Sequence, residues 1–167
     1  MKIIAVGRNY IDHAKELNNP VPKTPVIFMK PDTACLLSRF FQRYSYEVEV
    51  VLRICKEGKH VSPKFAHTYY DAIGLGIDFT ARDIQQQHKE KGLPWELTKS
   101  FDGSAVISPF ILKDTFADPA QLSFSLQKNK EIVQSGHTKD MIFSYDQLIV
   151  FISQYITLRK GDFIYTG

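Results

Sequence analysis

The most informative fragment of the chain is Tyr46-Glu47-Val48-Glu49-Val50, in which two acidic residues alternate with apolar ones. Successive side chains of a strand point to opposite faces, so Glu47 and Glu49 would project from one face about 6.6 Å apart. Two carboxylates that face the same way within an apolar strand repel each other and lose solvation. A bound cation offsets both costs, whereas the alternative interpretation is an ordinary solvated strand face.

Asp78 adds a third carboxylate to this pair. It ends a nearly all-apolar segment, residues 73–77, where an acidic residue is out of character. Three carboxylates on neighbouring strands form an oxygen-rich site that suits Mg²⁺, Mn²⁺ or Ca²⁺ better than Zn²⁺, which prefers His and Cys. Such a site leaves coordination positions for water and for a chelating substrate. Spacing alone leaves the metal site and the solvated acidic face equally open.

The acidic residues depend on two predicted strands, residues 44–54 and 72–79, which are rich in apolar and β-branched residues. Further strands are predicted at residues 2–6, 26–29, 105–112, 122–128, 131–135 and 163–165. Helices are predicted at residues 12–17, 62–70, 80–91 and 144–155, the last with Ser144 as its N-cap. No repeat or linker interrupts the chain, so we expect one β-rich α+β domain.

The bulk composition narrows the class of protein. A chain of 167 residues with 44% hydrophobic and 23% charged residues is typical of one soluble globular domain. The net charge of +3 comes from basic residues spread along the chain, which argues against a nucleic-acid partner. No apolar run approaches the ~20 residues that cross a bilayer, and the N-terminus turns polar too soon for a signal peptide. Cys35 and Cys55 lack CxxC spacing and suit a reducing compartment, so we expect a cytoplasmic protein without a membrane partner.

Several motifs, taken in chain order, closely resemble the fumarylacetoacetate hydrolase superfamily. They are the opening segment VGRNYIDHAKE (residues 6–16), Lys30-Pro31, Glu47-Val48-Glu49, GIDFTARD (residues 76–83), KSFDG (residues 99–103) and the closing GDFIYTG (residues 161–167). The branch that looks most similar contains acylpyruvate hydrolases and oxaloacetate decarboxylases. The resemblance implies a single β-rich domain, a mixed-sheet roll of the family's C-terminal-domain type with a few short helices, assembled as a homodimer.

The resemblance also implies roles for eight residues. By position, the metal ligands fall on Glu47, Glu49 and Asp78, the lid dyad on His13 and Glu16, the active-site lysine on Lys99, and the substrate contacts on Arg82 and Gln85. The expected ion is Mg²⁺, with Mn²⁺ or Ca²⁺ as alternatives. The spacing agrees, because His13 and Glu16 stand at i and i+3 and would share one face of a helix. The guanidinium of Arg82 is suited to hold a substrate carboxylate.

Two segments depart from the family pattern. The family usually carries a longer loop where this chain has residues 38–42, and it continues beyond the position of Gly167 through a glycine-rich turn into further strands. That turn normally contributes a hydroxyl and backbone N–H groups to the substrate carboxylate. We therefore expect a catalytic domain over residues 1–167 that lacks the C-terminal strands and part of this loop.

The reaction that the resemblance implies is metal-dependent hydrolysis of a C–C bond in an acylpyruvate-type keto acid, with His13 and Glu16 activating water. Lys99 would neutralise negative charge that develops during the reaction. The alternatives are decarboxylation of oxaloacetate and isomerisation or hydration of a 2-hydroxydienoate from aromatic catabolism. The alternative of a different class is a non-catalytic scaffold or a fragment with a damaged site.

Overall fold

The computed structural model describes residues 1–11, 21–35 and 44–167. The predicted helix at residues 12–17, with His13 and Glu16, lies outside these residues, as does the loop near residues 38–42. Within the described ranges, no helix is both long and apolar enough to cross a membrane.

A mixed β-sheet forms the centre of the described part of the chain. The strands are β1 (Ile3–Gly7), β2 (Val26–Lys30), β3 (Tyr44–Ile54), β4 (Tyr70–Ala81), β5 (Ala105–Ile107), β6 (Ile111–Leu112), β7 (Ser123–Lys128), β8 (Glu131–His137) and β9 (Phe163–Tyr165). The sheet order is β2-β1-β9-β3-β4-β5, with β6 also paired to β4, while β7 and β8 form a separate hairpin. Only β1 and β9 pair in parallel among these strands. The expected β-rich α+β architecture is confirmed.

The helices are α1 (Arg82–Lys91), α2 (Glu96–Lys99) and α3 (Tyr145–Tyr155). Helix α3 begins with a capping box, in which the Ser144 hydroxyl and the Gln147 side chain each accept a backbone N–H from the other residue. It covers one face of the sheet and forms the main hydrophobic core. That core includes Ile4, Val50, Leu52, Ile73, Leu148, Ile149, Ile152 and Ile164.

The opposite face of the sheet is apolar at only one end. A smaller cluster there includes Ile3, Ala5, Val51 and Tyr165. The odd-numbered positions of β3 point to this face, so Glu47 and Glu49 continue the row that Val51 begins. The sheet therefore presents a carboxylate-lined surface immediately beside a small dry core.

Some boundaries differ from the sequence-based expectations. The predicted helix at 80–91 begins two residues later, because Thr80 and Ala81 still pair with β3. Residues Pro63–Thr68 form a 3-10 helix inside the helix predicted at 62–70. The strand predicted at 105–112 is two short strands, since Pro109 between them has no N–H to donate to a ladder.

Gly76 is required by close packing in β4. A Cβ at this position would lie 2.4 Å from the ring of Tyr165, which is fully buried on the same face. The sequence Gly74-Leu75-Gly76 therefore belongs to a strand whose glycine leaves room for an aromatic ring.

Replacing Gly76 with Ala should destabilise the protein by about 1–3 kcal/mol, because the added methyl overpacks the space that Tyr165 occupies. Gly74→Ala is the control, since its Cβ would meet Phe110 at a more tolerable 3.2 Å. Denaturant unfolding of both variants would contradict this account if Gly74→Ala proved the more destabilising.

Candidate active site

Three carboxylates lie together on the face of the sheet opposite the main core. Antiparallel pairing places Glu47 of β3 directly opposite Asp78 of β4, with Glu49 two residues farther along β3. One carboxylate oxygen from each lies within 4.8 Å of those of the other two. Glu49 and Asp78 are buried, while Glu47 is half-buried. The structure thus brings together the three residues that the sequence predicted as metal ligands.

Two lysine side chains from different elements approach the same carboxylates. The ammonium of Lys99, at the end of α2, donates to Asp78 Oδ2 at 2.6 Å and lies 3.6 Å from Glu47 Oε2. The ammonium of Lys30, at the end of β2, lies 2.8 Å from Asp78 Oδ1. It also donates to the carbonyl oxygens of Lys99 and Ser104, at 2.5 and 2.9 Å. Asp78 is therefore held between two cations.

The two lysines differ in their protonation energetics. Burial lowers the pKa of Lys30, and the attraction of Asp78 offsets this only in part. Burial also acts to lower the pKa of Lys99, but the negative charges of Asp78 and Glu47 outweigh it, so that this pKa is raised. Lys99 is thus firmly cationic beside the carboxylates, as its predicted role requires. Lys30 was part of a matching motif, but its contact with Asp78 was not predicted.

Among the residues that the structure describes, Glu49 is the carboxylate of the three that has no ion pair. Within the described residues its partner is the backbone N–H of Gly167, which donates to Oε2 at 2.8 Å. Burial, followed by the charges of Asp78 and Glu47, raises the pKa of the Glu49 carboxyl well above its ordinary value of 4.5. A buried carboxylate with unfavourable neighbours and two further oxygen donors beside it fits a hard divalent cation.

Arg82 and Gln85 lie in the first turn of α1, directly after β4 delivers Asp78. The Arg82 guanidinium donates to Gln85 Oε1 at 2.6 Å and to Glu47 Oε1 at 3.1 Å. Both residues line the same cavity as the carboxylates. The contact between Arg82 and Glu47 is one that sequence spacing alone does not indicate. The role of Arg82 and Gln85 as substrate contacts stays a prediction.

The β7–β8 hairpin is attached to the site through Gln134. Its side-chain amide accepts from Val48 N–H at 2.7 Å and donates to Val48 C=O at 3.0 Å. Val48 lies between Glu47 and Glu49. Strand β9 pairs with β3 only at Val51, Leu52 and Arg53, so it does not cover the edge of β3 at Val48. The amide of Gln134 therefore replaces a neighbouring strand at this point. The sequence does not predict the contact between Gln134 and Val48, because the pattern in β8 indicates only one strand of a hairpin.

The carboxylates open into a cavity of about 800 Å³. Trp95 lines it and packs edge-on against Phe28, with ring centroids 5.8 Å apart. A second cavity of about 890 Å³, lined by apolar residues such as Ile73, Leu75 and Phe116, contains none of the three acids. The chemistry of the donor groups, rather than cavity size, therefore locates the site. The positions of His13 and Glu16 relative to it stay predictions.

Comparison with known proteins agrees with this geometry. The family model described as fumarylacetoacetate (FAA) hydrolase C-terminal matches residues 2–167. The chain belongs to this family. Members of the fumarylacetoacetate hydrolase family include enzymes, and the sheet architecture described above is that of its C-terminal domain.

The chain is similar to several known proteins of the family, of which three are described here. The mitochondrial oxaloacetate tautomerase of Mus musculus is 41% identical over 172 residues, which cover 99% of this chain and 78% of that protein. A fumarylpyruvate hydrolase of Pseudomonas aeruginosa, solved with Mn²⁺ and pyruvate, is 31% identical with a TM-score of 0.92, covering 100% of this chain and 77% of that one. A 5-carboxymethyl-2-hydroxymuconate delta-isomerase of Mycobacterium smegmatis is 30% identical with a TM-score of 0.83, covering 99% and 66%.

Replacing Glu49 with Gln should stabilise the metal-free protein at high pH. Because the folded-state pKa of Glu49 is raised, metal-free wild type loses stability as the pH rises from about 4.5 through that pKa. Gln carries no charge, so in EDTA the variant should melt at least about 2 °C above wild type near pH 8 and equal to it near pH 4.5. Exposed Glu57→Gln is the control. A pH-independent difference would contradict this account.

Replacing Gln134 with Ala should loosen the hairpin and expose the Val48 backbone. Losing both hydrogen bonds should cost about 1–3 kcal/mol of unfolding free energy and increase amide exchange at Val48. Gln127→Ala, on the exposed side of β7, is the matched control and should change neither quantity. Unchanged exchange at Val48 in Gln134→Ala would show that this contact does not order the strand.

Proposed function

We propose that this protein is a divalent-metal-dependent enzyme that interconverts the keto and enol forms of oxaloacetate or a similar 2-keto dicarboxylic acid. The observation that carries the proposal is the cluster of Glu47, Glu49 and Asp78 on one face of the β3–β4 pair, open to a cavity. These three residues would hold Mg²⁺ or Mn²⁺. A cation there would supply Lewis-acid charge toward the substrate's carboxylate and keto oxygens.

The protein's own side chains account for much of the remaining chemistry. In tautomerisation the enol proton leaves the oxygen on C2 and a proton is added at C3, so negative charge is shared along the O–C2–C3 unit in between. The ammonium of Lys99 lies beside the carboxylate cluster, where it would offset that charge. The predicted pair His13 and Glu16 is our candidate for the proton carrier, since an imidazole titrates near neutral pH.

Tautomerisation is preferred because the relative of Mus musculus, at 41% identity, is named an oxaloacetate tautomerase. It also makes the fewest chemical demands, because no bond between heavy atoms is broken. The second candidate is hydrolysis of an acylpyruvate C–C bond, as the name of the Pseudomonas aeruginosa relative suggests. The cavity of about 800 Å³ favours keeping this candidate, since it can accept a substrate larger than oxaloacetate.

The predicted homodimer and cytoplasmic location belong to this proposal as well. The Mus musculus relative carries a mitochondrial designation in its name, so location within the cell needs its own measurement. Light scattering of the purified protein would test the dimer.

A substrate panel tests the proposed reaction. Enol-oxaloacetate, keto-oxaloacetate, acetylpyruvate and fumarylpyruvate should be supplied with Mg²⁺, with Mn²⁺ and with EDTA. We expect metal-dependent tautomerisation to exceed the spontaneous rate, with decarboxylation and C–C hydrolysis followed in the same samples. Full activity in EDTA-treated protein would overturn the metal requirement, and faster acetylpyruvate or fumarylpyruvate cleavage than tautomerisation would favour the second candidate.

Replacing Lys99 with Met should reduce turnover by about 10²–10³-fold while the variant still folds and binds metal. The thioether side chain keeps the volume but removes the charge beside Asp78 and Glu47. Initial rates and calorimetric Mn²⁺ affinity should both be measured. The control is Lys139→Met, which removes an exposed lysine. Wild-type turnover in Lys99→Met would exclude the charge-offsetting role.

A further inference from the structure

Arg8 has a backbone conformation that side-chain-bearing residues rarely adopt. Its φ angle is 63°, in the left-handed region that favours glycine. An L-residue pays a conformational penalty there, and such strain persists only where the surroundings impose it. Because strained residues concentrate at binding and catalytic sites, the arginine at this position calls for a functional reason.

The residues on both sides of Arg8 are held firmly. Gly7 pairs with Val26 at the end of β1. The Asn9 carbonyl accepts from Ile142 N–H at 2.7 Å. The Asn9 side-chain amide donates to the carbonyls of Phe143 and Thr166 and accepts from Phe143 N–H, at 3.0, 2.8 and 2.8 Å. The chain therefore cannot relax the φ angle of Arg8 without breaking buried hydrogen bonds.

These contacts place Arg8 beside the carboxylate site. Gly167, whose N–H donates to Glu49, packs closely against the turn after β1 that contains Arg8. A Cβ on Gly167 would meet Asn9 Cβ at 2.6 Å and Val6 O at 3.1 Å. On the other side, Phe28 of β2 pairs with Ala5 of β1, and its ring centroid lies 5.5 Å from Lys99 Nζ. Arg8 itself lines the cavity into which the carboxylates open.

Of the two arginines that line the cavity, Arg8 is the one without an ion pair among the described residues. The guanidinium of Arg82 is bound by Glu47, and the ammonium of Lys99 by Asp78. In the described part of the chain, no carboxylate lies within ion-pair distance of Arg8. The residue is half-buried, and a guanidinium without a carboxylate partner in these ranges is suited to a second anionic group of a keto-acid ligand.

We propose that Arg8 binds the distal carboxylate of a dicarboxylic 2-keto acid and thereby selects dicarboxylic over monocarboxylic ligands. The proposal rests on the function proposed above, in which a cation held by Glu47, Glu49 and Asp78 would receive the near carboxylate and keto oxygen of the ligand. Arg8 would then form a bidentate pair with the carboxylate at the other end. The strained backbone at Arg8 is the means by which the fold directs this guanidinium into the cavity.

Two ligands of equal chain length test the selection directly. 2-Oxoglutarate and 2-oxopentanoate share the 2-keto acid group and differ in ending with a carboxylate or a methyl group. Calorimetric binding to the full chain with Mg²⁺ should favour 2-oxoglutarate in wild type. Arg8→Gln should weaken 2-oxoglutarate by about 10–100-fold and leave 2-oxopentanoate unchanged. Exposed Arg159→Gln removes the same charge elsewhere and should alter neither affinity.

Arg8→Gly separates the binding role from a structural one. Glycine tolerates the left-handed backbone, so this variant should melt at or above the wild-type temperature while losing the same preference for 2-oxoglutarate. A wild type that fails to prefer 2-oxoglutarate, or an Arg8→Gln variant that keeps the preference, would overturn the proposal. A lower melting temperature for Arg8→Gly would show that the arginine serves the fold instead.

Failure of this inference can be distinguished from failure of the proposed reaction. Calorimetry measures the binding preference for 2-oxoglutarate over 2-oxopentanoate and does not require turnover. The substrate panel measures turnover and does not depend on that preference. Turnover of keto acids with an unchanged preference in Arg8→Gln would overturn only the role of Arg8. If wild type prefers 2-oxoglutarate, Arg8→Gln loses that preference and no keto acid is turned over, only the proposed reaction would be overturned.

Discussion

The site depends on the register of β3 against β4, which places Glu47 directly across from Asp78. Cross-strand neighbours on one face lie about 4.5–5.5 Å apart at their Cβ atoms, so this register brings two like charges together, with Glu49 next in line. Like charges opposite each other destabilise a sheet. The pairing persists because both long strands are mainly apolar and one face of them packs in the core beneath α3. A slip of one residue would bury the acids in that core.

The charge on this face is offset by residues that converge from three other elements. Lys30 comes from the end of β2, Lys99 from the end of α2 and Arg82 from the start of α1. Together they neutralise Asp78 and Glu47, and they leave Glu49 with a backbone N–H alone among the described residues. The protein therefore supplies fixed positive charge on one side of the cluster and retains a carboxylate on the other. This asymmetry suits a cation that is to keep positions free for a ligand.

The middle of β3, where the carboxylates lie, is also fixed by hydrogen bonds from two other parts of the domain. Gln134 completes the hydrogen bonding of Val48, and Gly167 orients Glu49 while packing against the turn that contains Arg8. These contacts connect the separate β7–β8 hairpin, β9 and the turn after β1 to a few ångströms of β3. The geometry of the carboxylates is thus maintained by the whole domain rather than by β3 alone.

The sequence by itself determined the strands that carry the acids, the α3 cap and the identity of the candidate ligands. Alternation in residues 44–54 and the acid after an apolar strand are local signals, and the ordered motifs indicated the family that comparison then confirmed. Register, burial and long-range contacts were decided only by the tertiary structure. Lys30 and Lys99 are separated by 69 residues, and Val48 and Gln134 by 86. No periodicity links such positions, because what joins them is the path of the folded chain and the need to pair buried charge and backbone polar groups.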